Sequence, residues 1–200
     1  MSTSDLGPIA LDGRFVRLEP LRANHAATLW DVAREMDWGW MLGALRSKEE
    51  VDRRIAERLS GEERKAEYGY TVFLKARNRI VGSTSYLEVA PKRKIAEIGS
   101  TWYSLDVQGT VVNPECKYLL LKHAFEDWGA IRVQLGTDVK NVHSQRAILK
   151  LGAKFEGRLR NHGIRADGSI RDSMLYSIIS EEWPGVKKGL EARIESFARS

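Results

Sequence analysis

The residue pattern changes twice between positions 96 and 151, and this change constrains the fold more than any other feature. Residues 96–103 have the composition of a strand, whereas the segment from Pro114 to about Asp127 has the spacing of a helix. Residues 131–138 again have the pattern of a strand, and residues 142–151 that of a helix that ends at Gly152. Strand, helix, strand, helix is the order of a βαβα unit, so the sequence predicts an α/β fold.

The remaining segments extend this unit to a mixed sheet of about seven strands. Residues 24–34 have helical spacing, Ser47 and Glu50 form a capping box before a second helix, and the apolar stripe from Val186 to Phe197 predicts a C-terminal helix. That last helix would pack on the body of the protein or on a partner subunit in a homodimer. The other predicted strands are residues 14–19, 68–75, 80–88, 153–160 and 169–179.

Length and composition favour one folded domain. The 200 residues contain no repeat and no low-complexity linker, so we expect one domain over 1–200, with a lead-in over 1–12 and a helical extension over 181–200. The chain has no apolar run near the roughly 20 residues of a membrane span, no secretory signal, and a lone cysteine. We therefore expect a cytoplasmic protein without a membrane partner.

A candidate anion site lies where the helix at Pro114 begins. Asn113 is a favourable N-cap, and proline suits the first helical position. Because this helix follows a strand and a loop, its free N–H groups and the positive end of its dipole would face a crevice. Any capped helix in this setting offers the same groups, and the net charge of +5 suits a solvated surface as well as an anionic ligand.

Several segments, taken in order, resemble the GNAT acetyltransferases, and more narrowly the branch related to the ribosomal-protein N-terminal acetyltransferases RimJ and RimL. The resemblance covers nearly the whole chain. It implies a mixed, mostly antiparallel sheet flanked by helices, with a V-shaped splay between the fourth and fifth predicted strands. The segments are LDGRFVRLEPL at 11–21, EIGSTW at 97–102, the loop at 108–113, LLLKHAFE at 119–126, NVHS at 141–144, LGA at 151–153, RD at 171–172 and YS at 176–177.

The resemblance also implies that acetyl-CoA is the co-substrate and lies in this splay. The family's phosphate loop commonly reads Gln/Arg-x-x-Gly-x-Gly/Ala, whereas this chain has Val111 and Asn113 at the two small positions. Valine resists the backbone freedom that glycine permits, so binding could be weakened. The residues implied to hold the pyrophosphate are Gln108, Gly109, Thr110, Val111, Val112 and Asn113, and those implied to face the pantetheine and sulfur are Asn141 and Ser144.

Direct transfer to an amine needs a base for the amine's proton and an acid for the departing thiolate. Glu97 is expected to share a strand face with Gly99, Thr101 and Tyr103, and to act as the base through a water molecule. A surface ion pair with a lysine of the basic loop at 92–94 is the alternative.

The resemblance implies that Ser144 hydrogen-bonds the sulfur as the acid. The alternative is that Ser144 occupies the first turn of its helix because small polar residues suit that position behind an Asn141 cap. Trp38, Trp40 and Thr101 are expected to border the acceptor amine.

The acceptor suggested by the resemblance is the α-amine of a protein or peptide. Three alternatives stay open: a small-molecule amine such as an antibiotic, polyamine or amino acid, a CoA-binding protein without activity, and a nucleic-acid binder. The last is disfavoured because no helix-turn-helix, RNP or zinc-finger pattern occurs. Cys116 lacks a catalytic partner pattern and is expected in the core, and the four histidines lack metal-ligand spacing, so no metal is expected.

Overall fold

The computed structural model describes residues 6–39 and 41–199 and contains one mixed sheet in the order β1-β2-β3-β4-β5-β6-β8-β7. β5 and β6 are parallel, and all the other neighbouring pairs are antiparallel. The sheet has eight strands rather than about seven because residues 11–12 add a short edge strand to β2. The strands are β1 Leu11–Asp12, β2 Val16–Pro20, β3 Tyr68–Leu74, β4 Arg79–Ala90, β5 Ile95–Tyr103, β6 Arg132–Asp138, β7 Lys154–Ile164 and β8 Ile170–Ile179.

Five α-helices flank the sheet in the described ranges: α1 Ala26–Ala33, α2 Lys48–Glu63, α3 Val112–Lys122, α4 Val142–Leu149 and α5 Trp183–Ala198. A π-helical turn over His123–Trp128 continues α3. None of the helices in these ranges combines the length and the hydropathy that a bilayer crossing requires.

The predicted helix starts are confirmed for α2 and wrong for α3. Ser47 caps α2, because its side chain accepts a hydrogen bond from the N–H of Glu50 at 3.2 Å. Asn113, the expected cap of α3, instead lies inside its first turn, since the helix begins at Val112. Val112 is buried in the core, and this packing outweighs the preference of asparagine for a cap position.

Apolar side chains cover both faces of the sheet. One cluster lies between the sheet and α3 with α5, and a second lies under α1 and α2. α5 packs on the body of its own chain: the ring of Trp183 stacks on Phe125 with centroids 5.4 Å apart, and Tyr118 donates a hydrogen bond to Glu191 at 2.9 Å. The C-terminal helix therefore buries the first part of its apolar stripe, Val186 and Leu190, within this chain.

The buried carboxylate of Glu115 joins α3 to the N-terminal hairpin. It accepts hydrogen bonds from the backbone N–H groups of Arg14, Phe15 and Val16 at 2.8, 2.7 and 2.7 Å. A Cβ on Gly13 would lie 2.7 Å from the carboxyl carbon, so the turn between β1 and β2 leaves room for the carboxylate only with glycine there. Glu115 thus fixes the first turn of α3 against the edge of the sheet.

Glu115→Gln should destabilise the fold by about 2–4 kcal/mol, because hydrogen bonds to a buried charge are lost and an amide NH2 then faces backbone donors. Urea unfolding followed by circular dichroism measures the change. Glu195→Gln is the matched control, since Glu195 forms an exposed ion pair with Arg14 at 3.2 Å. Equal urea midpoints for both variants and the parent would contradict this role of Glu115.

Candidate active site

β5 and β6 pair along only three residues and then separate. The pairs are Ile95 with Arg132, Ala96 with Val133, and Glu97 with Gln134. Beyond them the rest of β5 pairs with β4 alone, and the rest of β6 pairs with β8 alone. The predicted V-shaped splay is therefore confirmed. Both α3 and α4 begin beyond its open end, because each follows the strand that forms one wall of the gap.

A β-bulge interrupts β5 beside the gap. The pairing with β4 changes register between Ser83 and Ser85, so that Ser100 and Thr101 together lie opposite Thr84. Ser100 has a left-handed backbone with φ +50°. An extra residue of this kind turns the following side chains to the other face of the strand.

The expected common face of Glu97, Thr101 and Tyr103 is wrong for this reason. After the bulge, Thr101 and Tyr103 face α3: Lys117 Nζ donates to Thr101 Oγ1 at 2.7 Å, and Tyr103 Oη donates to Asn113 Oδ1 at 3.3 Å. Glu97 lies on the opposite face, which carries α1 and α2, because its strand neighbours Ala96 and Ile98 pack in the core cluster on the α3 side. The two faces of β5 therefore carry different polar groups: the Glu97 carboxylate on one, and the Thr101 and Tyr103 hydroxyls on the other.

The carboxylate of Glu97 is half-buried at the closed end of the gap. Gln134 Nε2 donates to its Oε2 at 3.3 Å. Burial raises the pKa of Glu97 above its ordinary value, and the charge of Glu88 adds to this shift. The hydrogen bond from Gln134 and the nearby His162 and Arg171 oppose the shift without reversing it. Such a carboxyl group is closer to a working base at neutral pH than an exposed one.

Two glycines leave space around Glu97. A Cβ on Gly99 of β5 would lie 3.0 Å from Glu97 Oε1, and one on Gly136 of β6 would lie 3.6 Å from the same atom. Lys94, one candidate for a surface ion pair, donates instead to the carbonyl of Trp128 at 2.8 Å. Among the described residues no lysine of the basic loop therefore pairs with Glu97, and glycines border its carboxylate on both diverging strands.

The loop before α3 needs a left-handed backbone only at Gly109, which has φ +75°. Val111 has φ −64°, a helical value that valine adopts without strain. The departure from the family's glycine pattern at this position therefore costs no backbone strain.

The backbone N–H groups of Gly109, Val111 and Asn113 have no acceptor among the described residues. The loop that carries them is attached to the end of β5, because Gln108 Nε2 donates a hydrogen bond to the carbonyl of Tyr103 at 3.0 Å. Free donors at the start of a helix suit an anion.

Asn141 and Ser144 lie at the start of α4. The Asn141 side chain accepts a hydrogen bond from the N–H of Ser144 at 2.9 Å, which confirms the predicted cap. The Ser144 hydroxyl donates no hydrogen bond within the described ranges. Its predicted role toward the sulfur stays a prediction.

The loop between α1 and α2 covers the face on which Glu97 lies. Trp38 is buried, donates its indole N–H to the carbonyl of the last α1 residue at 3.0 Å, and packs edge-on against Trp102 with centroids 5.4 Å apart. Trp40 lies outside the described residues. Leu42 from the same loop meets the β7–β8 hairpin, since a Cβ on Gly163 would lie 2.6 Å from it. Loop and hairpin together roof the approach to the gap.

The hairpin is anchored at the end of β6. Arg165 Nε and Nη2 donate to the two carboxylate oxygens of the buried Asp138 at 2.6 and 2.9 Å. Burial alone would raise the pKa of Asp138, but the hydrogen bonds from Arg165 and from the N–H of Lys140 outweigh it, and the pKa is lowered. No cluster of histidine, cysteine and acidic side chains suited to a metal occurs in the part of the chain described.

Residues 16–154 match the model of the acetyltransferase (GNAT) domain. This chain belongs to the GNAT acetyltransferase family. The match covers the diverging strands, the loop before α3 and the start of α4. The family assignment therefore rests on the elements that form the gap.

Individual GNAT relatives support the RimJ/RimL-like branch. YdaF of Bacillus subtilis (strain 168), provisionally assigned as a ribosomal N-acetyltransferase, is 31% identical over 93 residues, which are 46% of this chain and 49% of YdaF. The aligned region thus spans about half the length of YdaF. A provisionally assigned acetyltransferase structure from T. thermophilus has 35% identity and a TM-score of 0.82, with 93% of this chain and 97% of that chain covered.

RimJ of Mycobacterium smegmatis, solved in complex with CoA-disulfide, superposes with a TM-score of 0.82 over 96% of this chain and 97% of that one. Its sequence identity is 19%, so this likeness shows a shared fold.

Sequence reasoning missed Lys117, which this GNAT chain buries on α3. The side chain is 6% exposed, and its Nζ is hydrogen-bonded to Thr101, whose hydroxyl lies 2.7 Å from that of Thr84. Burial lowers the pKa of Lys117 to about 8, although Cys116 and Glu97 oppose this shift. The sequence does contain a pattern that indicates this burial, since Lys117 lies three and four residues before Leu120 and Leu121 on the apolar stripe of α3.

Cys116 is fully buried in the core, as predicted. Burial raises the pKa of its thiol to about 12, so the reactive thiolate is absent near pH 7.

Lys117→Met should stabilise the protein at pH 7 by about 1–3 kcal/mol, because the parent buries a charge there. The advantage should shrink between pH 8 and 10.5, where the folded parent has lost this proton while the unfolded chain still binds it. Urea unfolding at several pH values measures the difference. Lys122→Met, at an exposed position of the same helix, is the control, and a pH-independent difference between Lys117→Met and the parent would contradict a buried ammonium group.

Proposed function

We propose that this GNAT chain moves the acetyl group of acetyl-CoA to a primary amine by direct attack in a ternary complex, and that the acceptor is the α-amine of a protein or peptide. The observation that carries the proposal is the gap between β5 and β6, with Glu97 at its closed end and free backbone N–H groups beyond its open end. Acetyl-CoA supplies the activated acyl group. The chain supplies binding, orientation and the proton transfers.

The loop before α3 fits a pyrophosphate. Its free N–H groups and the dipole of α3 favour negative charge, and Gly109 provides the one left-handed position that the loop needs. The side chain of Gln108 acts by holding the loop on the end of β5. The residues that we assign to the co-substrate are Gln108, Gly109, Thr110, Val111, Val112, Asn113, Asn141 and Ser144.

The proton transfers are assigned to Glu97 and Ser144. As the amine nitrogen bonds to the acetyl carbon, the carbon–sulfur bond breaks. The proton from nitrogen passes through water to the Glu97 carboxylate, and the thiolate takes a proton from the Ser144 hydroxyl, which recovers one from solvent. An α-amine with a pKa of about 7.7 to 8.0 is neutral far more often at pH 7 than a lysine with a pKa of about 10.4, so a modest base suffices.

The choice of a protein or peptide α-amine draws on the names of YdaF and RimJ and on the roofed approach to Glu97. A site roofed by Leu42 and the β7–β8 hairpin suits a group at the end of a chain. Trp38 and Trp40 stay predictions as acceptor contacts. Thr101, which the bulge turns toward α3, is better placed for the co-substrate.

A direct test mixes the protein with acetyl-CoA and a panel of amines and follows the release of free thiol. The panel pairs each peptide with its N-acetylated form and includes a polyamine and free amino acids. Turnover of the free peptides alone supports the proposal, and turnover of the small amines alone favours a small-molecule acceptor. Binding without turnover would mark a CoA-binding protein without activity, and absence of binding would contradict the proposal.

Glu97→Gln should lower kcat by about 100-fold or more, because the amide cannot accept the proton. In the parent, kcat/KM for the peptide should fall with a limiting slope of two at acidic pH, one from protonation of the α-amine below about 7.7 to 8.0 and one from the raised pKa of this carboxyl, and the variant should keep only the slope of one that the amine contributes. Glu88→Gln is the matched control: it removes the neighbouring charge, so the acidic limb should move to lower pH with the rate retained. An acidic limb unchanged in Glu97→Gln would contradict the assignment.

Gly109→Ala should raise the KM for acetyl-CoA by up to about tenfold, because alanine disfavours the left-handed backbone of the loop. Gly168→Ala is the matched control, since Gly168 has φ +83° in the distant β7–β8 turn and, like Gly109, has open space where a Cβ would lie. Equal KM values in the two variants would argue against pyrophosphate binding at this loop.

A further inference from the structure

Lys117 is a buried cation that the proposed proton transfers do not use. The residue is 6% exposed, and its Nζ donates a hydrogen bond to the hydroxyl of Thr101 at 2.7 Å. An ammonium group carries three N–H donors, and the other two have no acceptor within the part of the chain that the structure describes. Because buried donors without acceptors cost stability, this position suits a group that accepts hydrogen bonds from a ligand.

The contact of Lys117 lies on the wall of the gap between β5 and β6. Its partner Thr101 is four residues beyond Glu97, which is the last β5 residue that pairs with β6. Asn113, whose N–H is free in the loop before α3, lies one helical turn before Lys117 and accepts a hydrogen bond from Tyr103. Along β5, Thr101 therefore lies between Glu97 at the closed end of the gap and the Tyr103 contact with the anion loop.

The surroundings of Lys117 hold its ammonium group without neutralising it. Thr101 Oγ1 also lies 2.7 Å from Thr84 Oγ1 of β4, the strand on the side of β5 away from the gap. The charged or titratable groups that act on Lys117 are the Cys116 thiol, which is protonated near pH 7, and the Glu97 carboxylate on the opposite face of β5. With a pKa of about 8, Lys117 keeps most of its charge at pH 7.

We infer that Lys117 is a further catalytic residue, which donates a hydrogen bond to the thioester carbonyl oxygen of acetyl-CoA and stabilises the negative charge on that oxygen during attack by the amine. This inference rests on the proposed acetyl transfer. As the nitrogen–carbon bond forms, an electron pair moves onto the carbonyl oxygen, and it returns when the carbon–sulfur bond breaks. Lys117 therefore keeps its proton throughout. A fixed cation in a buried site stabilises such charge more than water does.

The first test measures binding in the absence of an acceptor amine. Titration calorimetry compares acetyl-CoA with S-ethyl-CoA, a thioether of similar size that lacks the carbonyl oxygen. We expect the parent to bind acetyl-CoA at least fivefold more tightly, and Lys117→Met to lower this preference by at least threefold. An unchanged preference in Lys117→Met would overturn the inference. An equal loss of affinity for both compounds would overturn it too, because Lys117 would then contact the pantetheine arm that they share.

The second test measures turnover with the amine that the thiol-release panel identifies. Lys117→Met should lower kcat about 100-fold and change KM for acetyl-CoA by less than fivefold, because the charge on oxygen is largest in the transition state. This variant is expected to fold, since it removes a buried charge, and Lys122→Met at an exposed position of the same helix should keep the parent kcat. A parent kcat in Lys117→Met would overturn the inference. If the parent acetylates no amine, the proposed function fails, and the calorimetric comparison still decides whether Lys117 contacts the carbonyl oxygen.

Discussion

The separation of β5 from β6 after three paired residues is the constraint on which the candidate site depends. Strands that separate leave backbone N–H and C=O groups without ladder partners, and such groups need other partners or water. Both α3 and α4 start beyond the open end, so their N-terminal donors point to the same region. The family's co-substrate, with amides along its pantetheine arm and a pyrophosphate at its end, has matching groups. We therefore treat the gap as the organising feature of the proposed acetyl transfer.

Two buried carboxylates stabilise the elements beside this gap through hydrogen bonds. Glu115 fastens the first turn of α3 to the N-terminal hairpin, and Asp138 fastens the β7–β8 hairpin through Arg165. Neither carboxylate belongs to the proposed proton transfers. Because each has its partners in elements far away in sequence, a change at either residue should move a wall of the site as well as lower stability.

Because of the bulge at Ser100, the two faces of β5 meet different ionisable groups. Glu97, with its raised pKa, lies on the face that carries α1 and α2, while Lys117, with its lowered pKa, reaches Thr101 from α3. Burial causes both shifts, and it acts in opposite directions because one group is acidic and the other basic. The acceptor and the co-substrate are accordingly proposed to meet the strand from different sides.

The amino-acid sequence by itself determined the order of strands and helices, the caps at Ser47 and Asn141, and the family with its gap, because these follow from local periodicity and from motifs read in order. It did not reveal the start of α3, where burial of Val112 overrode the asparagine cap, nor the strained Ser100, which reversed the expected orientation of Thr101. Only the tertiary structure brought Arg58 of α2 to the bulge of β5 and buried Lys117 against the sheet. Such pairings join residues far apart in the chain, and their energies depend on what surrounds them, so no local pattern could specify them.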